Sequence, residues 1–122
     1  MVEFLKENAN AFYRNAKRLL NEQEYKLAAF EIEQSLQLYL KYFLARKIGD
    51  FPKTHSLKRL FEECIRFCPE IKKLFEDNIN TIGDIEGAYI ASRYYPSYYT
   101  KREVENMLRF LEKAISVIER CL

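Results

Sequence analysis

Arg93 stands in a stretch that holds five of the chain's nine tyrosines: Tyr89, Tyr94, Tyr95, Tyr98 and Tyr99. A guanidinium is a planar fork that matches two phosphate oxygens, while phenol rings offer faces for a base and hydroxyls for phosphate or ribose oxygens. Arg93, Tyr94, Tyr98 and Tyr99 are therefore candidate ligand-binding residues for a nucleotide or an RNA phosphate. The same residue types also suit a packed core or a subunit contact, with Arg93 capping the preceding carbonyls, and the spacing leaves both readings open. His55, the only histidine, lies between Thr54 and Ser56 at an expected helix start. There an imidazole and free backbone amides can meet an anion, or the ring can simply cap and pack.

Other chemistries find less support. A single histidine excludes two-histidine metal sites and histidine-pair acid/base catalysis within one protomer. Cys64 and Cys68 are spaced along one helix face, but no Cys or His cluster supplies further zinc ligands, so they read as small core residues and no metal or cofactor is expected. The phosphate-cradling glycine loops and the Gly-x-Ser-x-Gly elbow are both missing. Lys53, Lys58, Arg59, Arg66, Lys72 and Lys73 outweigh Glu62, Glu63 and Glu70 over one segment, a mild positive surface that suits RNA or is solvated helix face.

The elements that position these residues follow from periodicity. With 122 residues, 48% hydrophobic and 31% charged, and only three Gly and three Pro, the chain reads as one all-α domain over residues 1–122. A formal charge of +2 is too balanced to announce a nucleic-acid or membrane partner. The opening residues and the absence of long apolar runs predict neither a signal peptide nor a membrane span. Three cysteines without an export signal predict a cytoplasmic, reduced protein that needs no disulfide.

Leu5, Ala9, Phe12, Ala16 and Leu19 form one stripe of a first helix that stops near Leu20. Asn21 and Glu24 have the spacing of a reciprocal cap for the second. Its broad stripe of Ala29, Ile32, Leu36, Tyr39, Leu40, Phe43 and Leu44 predicts a central helix ended by Gly49 and Pro52. Thr54 precedes a third run, Leu57, Leu60, Phe61, Cys64 and Ile65, that ends at Pro69. From Glu70 a pattern of Ile71, Leu74, Phe75, Ile79, Ile82, Ile85, Tyr89 and Ile90 predicts a fourth helix bent or broken at Gly83. Tyr94 to Tyr99 reads as a loop. Thr100 and Glu103 then cap a last helix through Val104, Leu108, Leu111, Ile115, Ile118 and Leu122. The fold class predicted is an antiparallel bundle of about five helices.

Taken in order, these segments resemble the HEPN (higher eukaryotes and prokaryotes nucleotide-binding) family of small helical domains. Residues Tyr13 to Leu20 resemble its first helix. Tyr25 to Phe30 with Gln34 to Lys41 are similar to its second. Thr54 to Leu60 resemble its Thr-His segment, and Tyr89 to Tyr94 its Arg-Tyr segment. The resemblance implies a HEPN-like bundle, often a homodimer, associated with nucleotide binding or, beside a minimal nucleotidyltransferase, with toxin-antitoxin pairs.

Many relatives are metal-independent ribonucleases with an Arg followed after four to six residues by a His. Here Arg93 can supply the arginine, but Tyr98, Tyr99 and Thr100 occupy the histidine's positions, and tyrosine titrates far above neutrality. Gln37 stands where many relatives have Glu. Three functions follow as expectations. The first is nucleotide or RNA-phosphate binding through Arg93, its tyrosines and His55. The second is an endoribonuclease with a degenerate motif, and the third a non-catalytic dimeric interaction module.

Overall fold

The computed structural model describes residues 2–94 and 98–122. Tyr95, Pro96 and Ser97, the middle of the expected aromatic loop, lie outside the described residues. Six helices occur among them: α1 (Glu3–Asn21), α2 (Tyr25–Ile48), α3 (Leu57–Cys64), α4 (Pro69–Asp77), α5 (Ile79–Tyr94) and α6 (Lys101–Cys121). The all-α bundle is as expected, with one helix more than the sequence pattern predicts.

The extra helix comes from Asn78, not from Gly83. Asn78 closes α4 by donating its side-chain amide to the Leu74 carbonyl at 2.9 Å, and its own carbonyl accepts from Ile82 at 3.0 Å to start α5. Gly83 sits inside α5, which runs through it unbroken.

The first connection also differs from expectation. Asn21 belongs to α1, and Glu24 caps α2 with no side-chain hydrogen bond. The turn is instead a Schellman ending of α1: Gln23 N–H donates to Leu20 O at 3.1 Å and Glu24 N–H to Leu19 O at 2.9 Å. That geometry puts Gln23 in the left-handed region at φ 63. At the other end of α2, Gly49 takes φ 78 and donates to Ala45 O, as its glycine predicts.

Antiparallel pairing of α1 and α2 is registered by polar rungs. Ser35 Oγ donates to Ala9 O at 2.8 Å, Asn15 to Glu31 at 2.6 Å, and Tyr39 hydroxyl to Asn10. α6 runs antiparallel to α1, with Tyr13 donating to Glu112 and Lys6 paired to Glu119 at 3.1 Å. α2 packs against α1, α3, α5 and α6, so nearly its whole circumference is buried, including Ile32, Leu36, Tyr39, Leu40, Phe43 and Leu44. Each such apolar side chain contributes roughly 1.5–3 kcal/mol.

The capping box of Thr100 and Glu103 is present on α6. The buried face of α6, however, is Val104, Met107, Phe110, Leu111, Ala114, Val117 and Ile118, and the predicted Leu108 and Ile115 only flank it. Ile79 and Ile90, expected in the core, are exposed.

Cys64 is a free, buried core residue as read from the sequence. Cys68 and Cys121 are not separate thiols. Pro69 places Cys68 as the N-cap of α4 against the last turn of α6, where it is disulfide-bonded to Cys121 with the Cα atoms 6.0 Å apart. The expectation of a reduced chain that needs no disulfide, with Cys68 a plain core residue, is corrected accordingly. The Arg120–Glu70 ion pair at 2.9 Å crosses the same seam.

Candidate functional site

Three elements converge where the sequence placed its candidates. Glu86, Tyr89, Ile90 and Arg93 recur at steps of three and four, so they share one face of α5. The N-terminus of α3 faces them. Ser56 caps it by accepting from Arg59 N–H at 3.2 Å, and Thr54 Oγ1 accepts from Ser56 N–H at 3.1 Å, so the cap is one residue past His55 rather than at Thr54. Glu86 then accepts from Lys58 N–H at 3.2 Å, a carboxylate on free helix amides that locks α5 to α3. From α2 come Phe30, Glu33, Gln37 and Lys41.

Tyr89 is the hub. The His55 imidazole stacks on its ring, centroids 4.7 Å apart and planes 21° from parallel. The Arg93 guanidinium lies 4.6 Å from the same centroid and 5.4 Å from that of Phe30, and its Nη1 donates to the Tyr89 hydroxyl at 3.2 Å. Arg93 is exposed and forms no ion pair with a carboxylate among the described residues. Two shallow hollows flank it. One, of about 230 Å³, is lined by His55, Ser56, Glu86, Tyr89 and Ile90; the other, of about 200 Å³, by Leu27, Phe30, Ser92 and Arg93.

Of the sequence candidates, the structure brings His55 and Arg93 to the same Tyr89 ring. Tyr94 and Tyr98 are exposed, at 69% and 94% of full accessibility, and neither ring contacts Arg93 among the interactions described. Tyr99 is half-buried against the core, and burial, then Glu103 and Asp84, push its phenol upward.

Sequence reasoning missed the support beneath the hub. Glu33 is fully buried. Its carboxyl accepts from Gln34 Nε2 at 2.7 Å and Gln37 Nε2 at 3.0 Å. Gln37 Oε1 in turn accepts from Lys41 Nζ at 3.0 Å and faces His55 Nδ1 at 3.3 Å. Burial drives Glu33 up to about 7, against the two amide hydrogen bonds and Lys41, while Glu86 adds to the rise. Lys41 is pushed down by burial, with Glu33 opposing. Desolvation thus moves both toward their neutral forms. The signal was the four-residue spacing of Glu33, Gln37 and Lys41 along a helix that is buried round most of its circumference.

A larger hollow, about 630 Å³, lies apart from this hub between α1 and α2, lined by Asn8, Phe12, Arg14, Asn15, Arg18 and Glu31 among others. Among the described residues no group of three or more His, Cys, Asp and Glu side chains could hold a metal, and no helix is long and apolar enough to cross a membrane.

A family model described as HEPN domain matches residues 2–121. No curated protein matches the chain. Among solved structures, the crystal structure of TT1696 from Thermus thermophilus superposes with a TM-score of 0.80 at 25% identity, covering 99% of this chain and 98% of that one.

Proposed function

The chain belongs to the HEPN family, and from that membership we propose that residues 1–122 act as a single HEPN-like domain that binds a nucleotide or an RNA phosphate through Arg93. The observation that carries this reading is the state of Arg93: exposed, held in place by the Tyr89 and Phe30 rings, and without a carboxylate partner among the described residues. A guanidinium pre-positioned on aromatic faces keeps its outer N–H groups for an anion and loses little side-chain freedom when one arrives. The flanking hollows give a base or sugar somewhere to lie, and in this reading Tyr94 at the end of α5 and Tyr98 and Tyr99 beyond it also help to hold the ligand.

Calorimetry with ATP, GTP and short RNA tests it on wild type and Arg93→Ala. Binding that weakens at least tenfold in Arg93→Ala is expected; equal, undetectable heats in both proteins end the proposal. In the same reading the protein is homodimeric, and is the HEPN component of a toxin-antitoxin pair with a minimal nucleotidyltransferase. Exposed Leu27, Ile90 and Tyr94 around the site give a second copy apolar surface to cover. Light scattering on the purified chain reads the dimer, and co-purification with a nucleotidyltransferase encoded beside it reads the pair.

One observation favours a second reading. His55, distant in sequence, stacks on the same ring as Arg93, so a proton carrier stands near a phosphate-binding group although the motif histidine is missing. The activity would be metal-independent RNA cleavage. RNA cut in EDTA by wild type and spared by Arg93→Ala supports it; cutting that survives the substitution belongs to a contaminant.

A further inference from the structure

A neutral imidazole carries its proton on one nitrogen only, and the partner of the other nitrogen decides which. In this chain the partner of Nδ1 is Gln37 Oε1 at 3.3 Å. Which end of the Gln37 amide faces the ring follows from its other neighbours. The Lys41 ammonium can only donate, and it lies 3.0 Å from Oε1. The Glu33 carboxylate accepts, and it lies 3.0 Å from Nε2. Turning the amide over would set N–H groups against the ammonium and an oxygen against the carboxylate, so both contacts would turn repulsive. The oxygen therefore faces His55, and the neutral ring must donate from Nδ1.

We propose that Gln37, held between Glu33 and Lys41, is a positioning residue that fixes neutral His55 as the Nδ1–H tautomer and leaves the Nε2 lone pair free on a ring stacked against Tyr89. His55 is exposed, and Nε2 has no hydrogen-bond partner among the described residues. The Tyr89 hub thus offers a ligand an acceptor on His55, in the hollow lined by Ser56, Glu86, Tyr89 and Ile90, as well as the donors of Arg93 on the same ring, which suits a guest carrying an anionic group and a hydroxyl or N–H. Only this last consequence rests on the reading of the Arg93 face as a ligand site.

The test is made on the full chain without ligand, labelled with ¹⁵N at its single histidine. Two-bond proton–nitrogen spectra at about pH 8, where an ordinary imidazole is neutral, report which nitrogen is protonated. Wild type is expected to show a protonated Nδ1 and a bare Nε2. In Gln37→Leu the acceptor is gone, and the proton population shifts from Nδ1 toward Nε2. A wild-type spectrum with the proton on Nε2, or evenly shared, overturns the proposal, and so does a Gln37→Leu protein that keeps the wild-type pattern. If Gln37→Leu does not fold, the wild-type spectrum still decides. Absent nucleotide binding with a protonated Nδ1 would remove the ligand reading and leave Gln37 in its role.

Discussion

Glu33→Gln isolates the energetic consequence of burying a carboxyl beneath the site. Folding raises the group from an ordinary 4.5 to about 7. Between those values the folded chain holds the proton and the unfolded chain does not, so unfolding free energy falls as pH rises; the penalty is absent below about 4.5 and complete above about 7. The rise from 4.5 to about 7 corresponds to roughly 3 kcal/mol in total, most of which accrues between pH 5 and pH 8. Glutamine does not titrate. It does give up an accepting oxygen toward Gln34 or Gln37, a loss of about 1 kcal/mol at every pH. Urea unfolding of both proteins at pH 5, 6, 7 and 8 should therefore show near-equal stability at pH 5 and an advantage to the variant of about 2 kcal/mol at pH 8. Taking the difference cancels the groups common to both chains. A difference that stays constant within about 0.5 kcal/mol across this range refutes the reasoning, because Glu33 would then titrate alike in the folded and unfolded chains.

Other expectations are more local. Gln23→Gly relieves the left-handed turn at φ 63 and should stabilise the protein by up to about 1 kcal/mol, read as a higher urea midpoint at unchanged slope. Thr100→Ala removes the acceptor for Glu103 N–H and should cost about 1 kcal/mol in the same assay, with the C-terminal helix fraying first in hydrogen exchange. Reducing Cys68–Cys121, which spans 53 residues, should lower stability by about 2–4 kcal/mol, and a Cys68→Ser/Cys121→Ser chain should match the reduced protein.

Most of the bundle was legible because its helices are strongly periodic and have chemically distinct ends. Gly49 and the Thr100–Glu103 box can be read one residue at a time. The breaks that failed were those decided by competition. Gly83 looked like the weak point, yet a helical glycine costs only about 1 kcal/mol, and Asn78 supplied an actual terminus. Asn21 and Glu24 had capping spacing, but a left-handed Gln23 committed those backbone groups to closing α1. The pairing of Cys68 with Cys121 depends on how α4 docks on α6, which no local pattern encodes.

At the site, Arg93 and His55 stood out by type alone. Tyr89 belonged to the tyrosine cluster, but it also fits the apolar pattern of α5, so its place as their common partner was not legible. The tyrosines nearest Arg93 in sequence drew attention, while the structure sets Phe30 of α2 against it. Glu33, Gln37 and Lys41 carried a visible four-residue spacing, but their link to His55 exists only once α2 and the segment before α3 are packed.

The most direct measurement follows the ring signals of the single histidine while ATP or a short RNA is added to wild type and to Arg93→Ala. Saturable movement of the His55 resonances is expected in wild type and is lost or much weakened in the variant. Ligand that binds while those resonances stay still, or that moves them equally without Arg93, would contradict it.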